Sequence, residues 1–175
     1  MKSLRIHSII VVFISLLGIP ELHAQVEKTI KQPRKNTGEA SIDQFVNKAF
    51  SIYTKTRSTN LNLLDLEKSL NKLKEGEIEK ILNIQEQVGN ISKNTLKMDD
   101  EVKSLCKQSP ALFESVKSIG SVRTALTATK NLNSAKKALN ISKGNLKEQP
   151  QLTKRIMSNS NELLKRNEEE KGNKE

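Results

Sequence analysis

The run EIEKILNIQEQVGNISKNTLKMDDEVKSLCK, residues 77–107, decides the fold. Ile81, Ile84, Val88, Ile91, Met98, Val102 and Leu105 recur at alternating steps of three and four, with Thr95 the one polar member of the series. That alternation puts every member on one stripe of an α-helix. Sustained over more than three heptads, it is the seam of a coiled coil. Gly89 costs such a helix about 1 kcal/mol without shifting the period. At 1.5 Å per residue the rod is about 45 Å long. A helix with one apolar stripe buries it against other helices, so the expected fold class is all-α, an antiparallel helical bundle with a long coiled-coil-like helical hairpin.

The flanking sequence supplies the rest of the bundle. Upstream, Ile42, Phe45, Val46, Ala49, Phe50 and Tyr53 keep helical spacing without a gap, and three of the four aromatic residues after position 24 lie there. Ser41-Ile42-Asp43-Gln44 has the form of a capping box, which predicts a first helix starting at Ser41. Arg57-Ser58-Thr59-Asn60 reads as a polar break. Leu63, Leu66, Leu70 and Leu73 then form a second helix, closed by Lys74-Glu75-Gly76. Downstream, Ser109-Pro110 reads as the end of the third helix and the start of a fourth. Leu112, Phe113, Val116 and Ile119 make that helix's first face, and Gly120-Ser121 a kink. Ala125, Ala128, Leu132, Ala135, Leu139 and Ser142 continue it with a seam of mostly small residues. Gly144 and Pro150 bracket a predicted turn before a fifth helix carrying Leu152, Ile156, Leu163 and Leu164. The expected bundle covers 41–167, with helices three and four as the hairpin and the other three covering it. A flexible leader (25–40) precedes it and a charged, disordered tail (168–175) follows.

The first 24 residues have a different character. Lys2 and Arg5 precede an apolar run from Ile9 to Leu17, Pro20 ends it, and Ala24 stands before Gln25. This is the three-part pattern of a secretory signal peptide cleaved after Ala24. The apolar run is about half the roughly 20 residues a membrane span needs. The expected product is exported, periplasmic or secreted. Cys106 cannot form an internal disulfide because it has no partner; on an apolar helical stretch it reads as a small buried residue. Asn90 and Asn140 each begin an Asn-Ile-Ser triplet, which matters only in a host that glycosylates.

Charge is distributed unevenly. The chain has 30 basic and 20 acidic residues; without Lys2, Arg5 and Glu21, 28 and 19 remain. Between Lys117 and Arg166 eleven basic residues face only Glu148 and Glu162. Segregation of this kind marks a surface that meets something acidic, although a solvated helical face has the same composition. Arg123, Lys130 and Lys137 fall on the position farthest from the Ala/Leu seam, with Lys136 and Lys143 beside them. With Lys117, Lys147, Lys154 and Arg155 they form the candidate basic interaction surface. No aromatic residue is interleaved, so the stacking platforms of single-stranded nucleic-acid binders are missing.

The sequence offers little catalytic chemistry. Its only histidines, His7 and His23, lie in the leader peptide, which removes the usual general base and zinc ligand from the rest. Asp99-Asp100-Glu101 is a run of helical neighbours that point apart, a poor metal site. Ser104-x-x-Lys107 and Ser134-x-x-Lys137 match a Ser–Lys spacing without companion motifs. No catalytic residue, metal or cofactor is expected. The expected function is that of an exported, non-enzymatic helical scaffold or interaction protein of the cell envelope that docks an acidic protein partner through its basic C-terminal half. The alternatives are a periplasmic holdase or assembly chaperone, which would bind many unfolded clients, and an anionic membrane-surface binder, in which 122–143 opens onto headgroups. Nucleic acid is not an expected partner, and a homo-oligomer is left open.

Overall fold

A computed structural model describes residues 29–74 and 76–172. Residues 1–24, where the sequence predicts a signal peptide, lie outside the described residues. Three helices pack together: α1 (Ala40–Leu70), α2 (Ile78–Ser115) and α3 (Val122–Gly172). A single 3-10 turn, Val116–Ser118, lies between α2 and α3. The 51 residues of α3 span about 75 Å. Side chains link Thr56 to Gln149 and Glu67 to Arg155, so α1 and α3 run parallel. Gln85 reaches Ser160, which makes α2 antiparallel to both. The all-α bundle and its long hairpin are as the sequence indicates, but three helices stand where five were expected.

Each missing break has a physical reason. At Arg57–Asn60 the helix continues without a break. The residues there cost a helix only tenths of a kcal/mol each, less than burying Leu63 and Leu70 returns. Pro110 lies inside α2. It removes the N–H that would pair with the Cys106 carbonyl, but both residues are exposed on the solvent side of the helix. The reversal comes instead at Ile119, which is extended, and Gly120. Ser121 then opens α3, its hydroxyl accepting from Thr124 N and its carbonyl from Ala125 N. Gly144 and Pro150 are both interior to α3 and exposed. Between and beyond them Leu146, Gln149, Leu152 and Ile156 are buried, and this outweighs their combined cost of about 4 kcal/mol. The helix also continues to Gly172, so residues 168–172 are helical and not part of a disordered tail.

Two further expectations are corrected. The capping box at Ser41 does not form: α1 begins at Ala40 behind Glu39, with no side-chain cap. Asp43 instead reaches back from the first turn and accepts from Thr37 N at 2.9 Å, Gly38 N at 3.1 Å and the Thr37 hydroxyl at 2.9 Å. Gly38 takes φ +83°, a conformation open to glycine. Cys106 is exposed, since Val102, Leu105 and Ser109 occupy the buried stripe beside it.

The core has two parts. In the upper part Phe45, Phe50 and Tyr53 of α1 pack against Ala128, Ala135 and Ala138 of α3 and Met98, Val102 and Leu105 of α2. Large rings on one helix meet methyl groups on another, so the helices approach closely. Phe50 and Tyr53 also meet edge to face at 6.2 Å. In the lower part Leu63, Leu70, Ile81, Ile84, Val88, Leu152 and Ile156 form an aliphatic zipper. Between the two lies one polar layer. The Thr95 hydroxyl donates to Gln149 Oε1 at 2.7 Å, and Gln149 Nε2 donates to the Thr56 carbonyl at 3.1 Å. Gln149 is fully buried, and both ends of its amide are satisfied.

Residues 29–39, read from the sequence as an aperiodic leader, lie against the upper part. Ile30 N donates to the Tyr53 phenol at 3.2 Å, Gln32 to Asn47 at 2.7 Å, and Asn131 of α3 to the Lys35 carbonyl at 2.8 Å. At the opposite end the α1–α2 loop is tied to α3. Gly76, at φ +92°, donates its N–H to Asn167, whose amide donates in turn to the Leu163 carbonyl.

Candidate functional site

The candidate surface is built by α3. Its buried stripe runs through Ala128, Leu132, Ala135, Leu139, Ser142, Leu146, Gln149, Ile156 and Ser160. At 100° per residue the direction opposite that stripe carries Arg123, Lys130 and Lys137. Lys147 and Lys154 lie beside that line, and Lys136 and Lys143 beyond them, all on one side. The seven lie on the side of α3 turned away from its buried stripe, and every one is exposed. None of them joins an ion pair among the described residues. Successive charges on one line lie about 10 Å apart, near the Debye length at physiological salt. Their fields therefore add weakly along the helix and strongly only near a surface that meets several at once.

The other two candidates stand apart. Lys117 lies on the 3-10 turn and binds Glu114 at 2.6 Å. Arg155 is on the opposite flank, facing α1, and makes a two-pronged pair with Glu67, with Nη2 at 2.7 Å from Oε2. The Glu67 carboxylate holds the Arg155 guanidinium in its charged form even more firmly than usual, against a smaller opposing effect of partial burial. Arg155 is thus a cross-helix tie, which the sequence could not show because Glu67 lies 88 residues away.

No cluster of metal-ligating side chains occurs among the described residues. Residues 29–172 contain no histidine. A shallow cleft of about 340 Å³ is lined by Ile30, Phe50, Tyr53, Arg57, Ser58 and Leu61. Its phenol accepts the Ile30 N–H, and no nucleophile there faces a base. No helix among the described residues is long and apolar enough to cross a membrane. The arrangement is suited to charge-directed docking on a rigid helical face. No family model, curated protein or solved structure matches this chain.

Proposed function

We propose that this chain is an exported, non-enzymatic helical interaction protein of the cell envelope that docks an acidic protein partner through the outer face of α3. The carrying observation is the band from Lys130 to Lys154, exposed and without an ion-pair partner among the described residues, on a helix packed against both of the others. A preformed face loses little conformational entropy on binding. Lysine and arginine keep their charge across the physiological pH range, so docking depends on salt far more than on pH.

Photo-cross-linking tests this reading. A cross-linking residue is placed at 137 or 143 on α3, or at 93 on the outer face of α2, in the exporting cell. One discrete adduct from α3 and none from position 93 is expected. The partner so identified is then purified, and Lys137→Glu/Lys143→Glu should weaken its binding by about tenfold or more at physiological salt. A ladder of many adducts from all three positions would favour the holdase alternative. No adduct at 137 or 143 would sink the docking reading.

A further inference from the structure

The two ends of the bundle differ in a way that neither helix pattern nor local composition shows. Folding brings residues 29–43 and the segment from Cys106 to Lys130 to one end, as the bond from Asn131 to the Lys35 carbonyl records. These stretches carry seven basic and three acidic side chains. Two of the three acids are engaged locally: Asp43 by Thr37 and Gly38, and Glu114 by Lys117. The other end, residues 64–86 and 154–169, carries eight basic and nine acidic side chains. The α2–α3 end thus carries an excess of four positive charges, and the opposite end an excess of one negative charge.

The same turn bears the two most water-exposed aliphatic side chains of α3. Val122 is 76% exposed and Leu126 58% exposed. They are four residues apart, hence neighbours on one face of the first turns of α3. Arg123 and Lys130 flank them on the same helix, and Lys117 stands just before. Beneath them Phe113, Ile119 and Ala125 are already packed on the upper core, so the exposed pair is carried on a fixed base. Aliphatic side chains at a rigid tip, ringed by cations, match the chemistry of an anionic bilayer surface: the cations meet headgroups and the aliphatic groups enter the acyl boundary. A folded acidic protein would need a pocket for Val122 and Leu126 as well as carboxylates; a bilayer supplies both without a shaped site.

We infer that the α2–α3 turn docks the bundle end-on against an anionic lipid surface, with Val122 and Leu126 as the inserted pair and Arg123 and Lys130 as the headgroup contacts. The contact needs no opening of α3, whose apolar seam stays buried. It is independent of the lateral docking reading, because Lys137, Lys143, Lys147 and Lys154 lie farther along the rod and remain accessible to a partner.

Co-sedimentation of the chain from Gln25 onward with phosphatidylglycerol-containing and pure phosphatidylcholine vesicles tests the inference. Binding is expected only to the anionic vesicles, fading with salt. Val122→Ser/Leu126→Ser should reduce it about tenfold, and Arg123→Gln/Lys130→Gln by about fivefold per charge. Lys147→Gln/Lys154→Gln removes the same charge away from the tip and should change it less than twofold. All six positions are exposed, so each variant keeps the bundle, which circular dichroism melting verifies. Three results would overturn the inference: no binding to anionic vesicles at low salt, an unchanged partition in the Val122/Leu126 variant, or equal sensitivity to both charge pairs. Soluble polyglutamate that competes with vesicles on an equal charge basis would also overturn it, and would assign the tip to an acidic protein.

Discussion

The bundle above the Gln149 layer and the bundle below it are held together differently. Above, aromatic rings of α1 fill the space left by alanines of α3, and residues 29–39 are strapped across through Tyr53 and Asn131. Below, the core is a narrower aliphatic zipper, and much of the cross-helix contact is polar: Gln85 to Ser160 and Asn161, Gly76 to Asn167, Arg155 to Glu67. Apolar area removed from water sets most of the stability, whereas a net hydrogen bond adds about 1 kcal/mol and an exposed ion pair less. The upper part should therefore be the stable unit, and the lower part the one that opens first.

Paired truncations give the largest test of that contrast. Phe50→Ala should cost about 4 kcal/mol and Ile156→Ala about 3 kcal/mol by urea unfolding. Amides of 60–90 and 152–170 should exchange before those of 42–56 and 128–146. Equal losses together with uniform exchange would erase the distinction. The polar layer comes next. Gln149→Ala should cost about 2 kcal/mol, since it leaves a hole at a fully buried position. Gln149→Leu should cost less, because Thr95 keeps its bond to the Ile91 carbonyl and the two apolar clusters become continuous. A Leu variant worse than the Ala variant would show the amide to be indispensable at that level.

Smaller effects follow from the exposed positions. Gly144→Ala should raise stability by about 0.5–1 kcal/mol, because a Cβ there meets nothing within 4 Å in an interior helical turn. Glu67→Gln should cost under about 1 kcal/mol, and the loss should vanish in 1 M salt. Smallest is Glu77, whose carboxyl is held below its ordinary range by hydrogen bonds from the Lys80 ammonium and the Lys74 N–H. A lowered folded pKa means that its contribution is present above the unfolded value and fades as pH falls through the folded one. A site-resolved NMR titration should find Glu77 protonating below the ordinary carboxylate range, and Lys80→Gln should bring it back up.

The helical class was legible because 77–107 keeps its period for seven consecutive steps, and every member of that seam except Ile91 is buried. Helix ends were less legible. Pro110, Gly144 and Pro150 carry strong local stop signals, yet all are exposed, and the burial that overrides them is contributed by residues far away in sequence. The continuity of α3 was further hidden because Gln149, Ser160 and Asn167 occupy seam positions that a hydropathy pattern scores as gaps. Of the basic surface, five members could be placed on one face from spacing alone, and Lys147 and Lys154 join them only because α3 continues through Gly144 and Pro150. The pairing of Arg155 with Glu67 and the gathering of residues 29–43 at the α2–α3 turn are tertiary facts, and the charge asymmetry between the two ends appears only once the chain is folded.

The odd number of helices among the described residues has one more consequence. Each α-helix carries about half a positive charge at its start and half a negative one at its end. In an up–down pair these cancel. Here α1 and α3 both begin at the basic end while only α2 finishes there, so one backbone dipole is left over. It adds about half a positive charge to that end, an amount that no side-chain substitution removes.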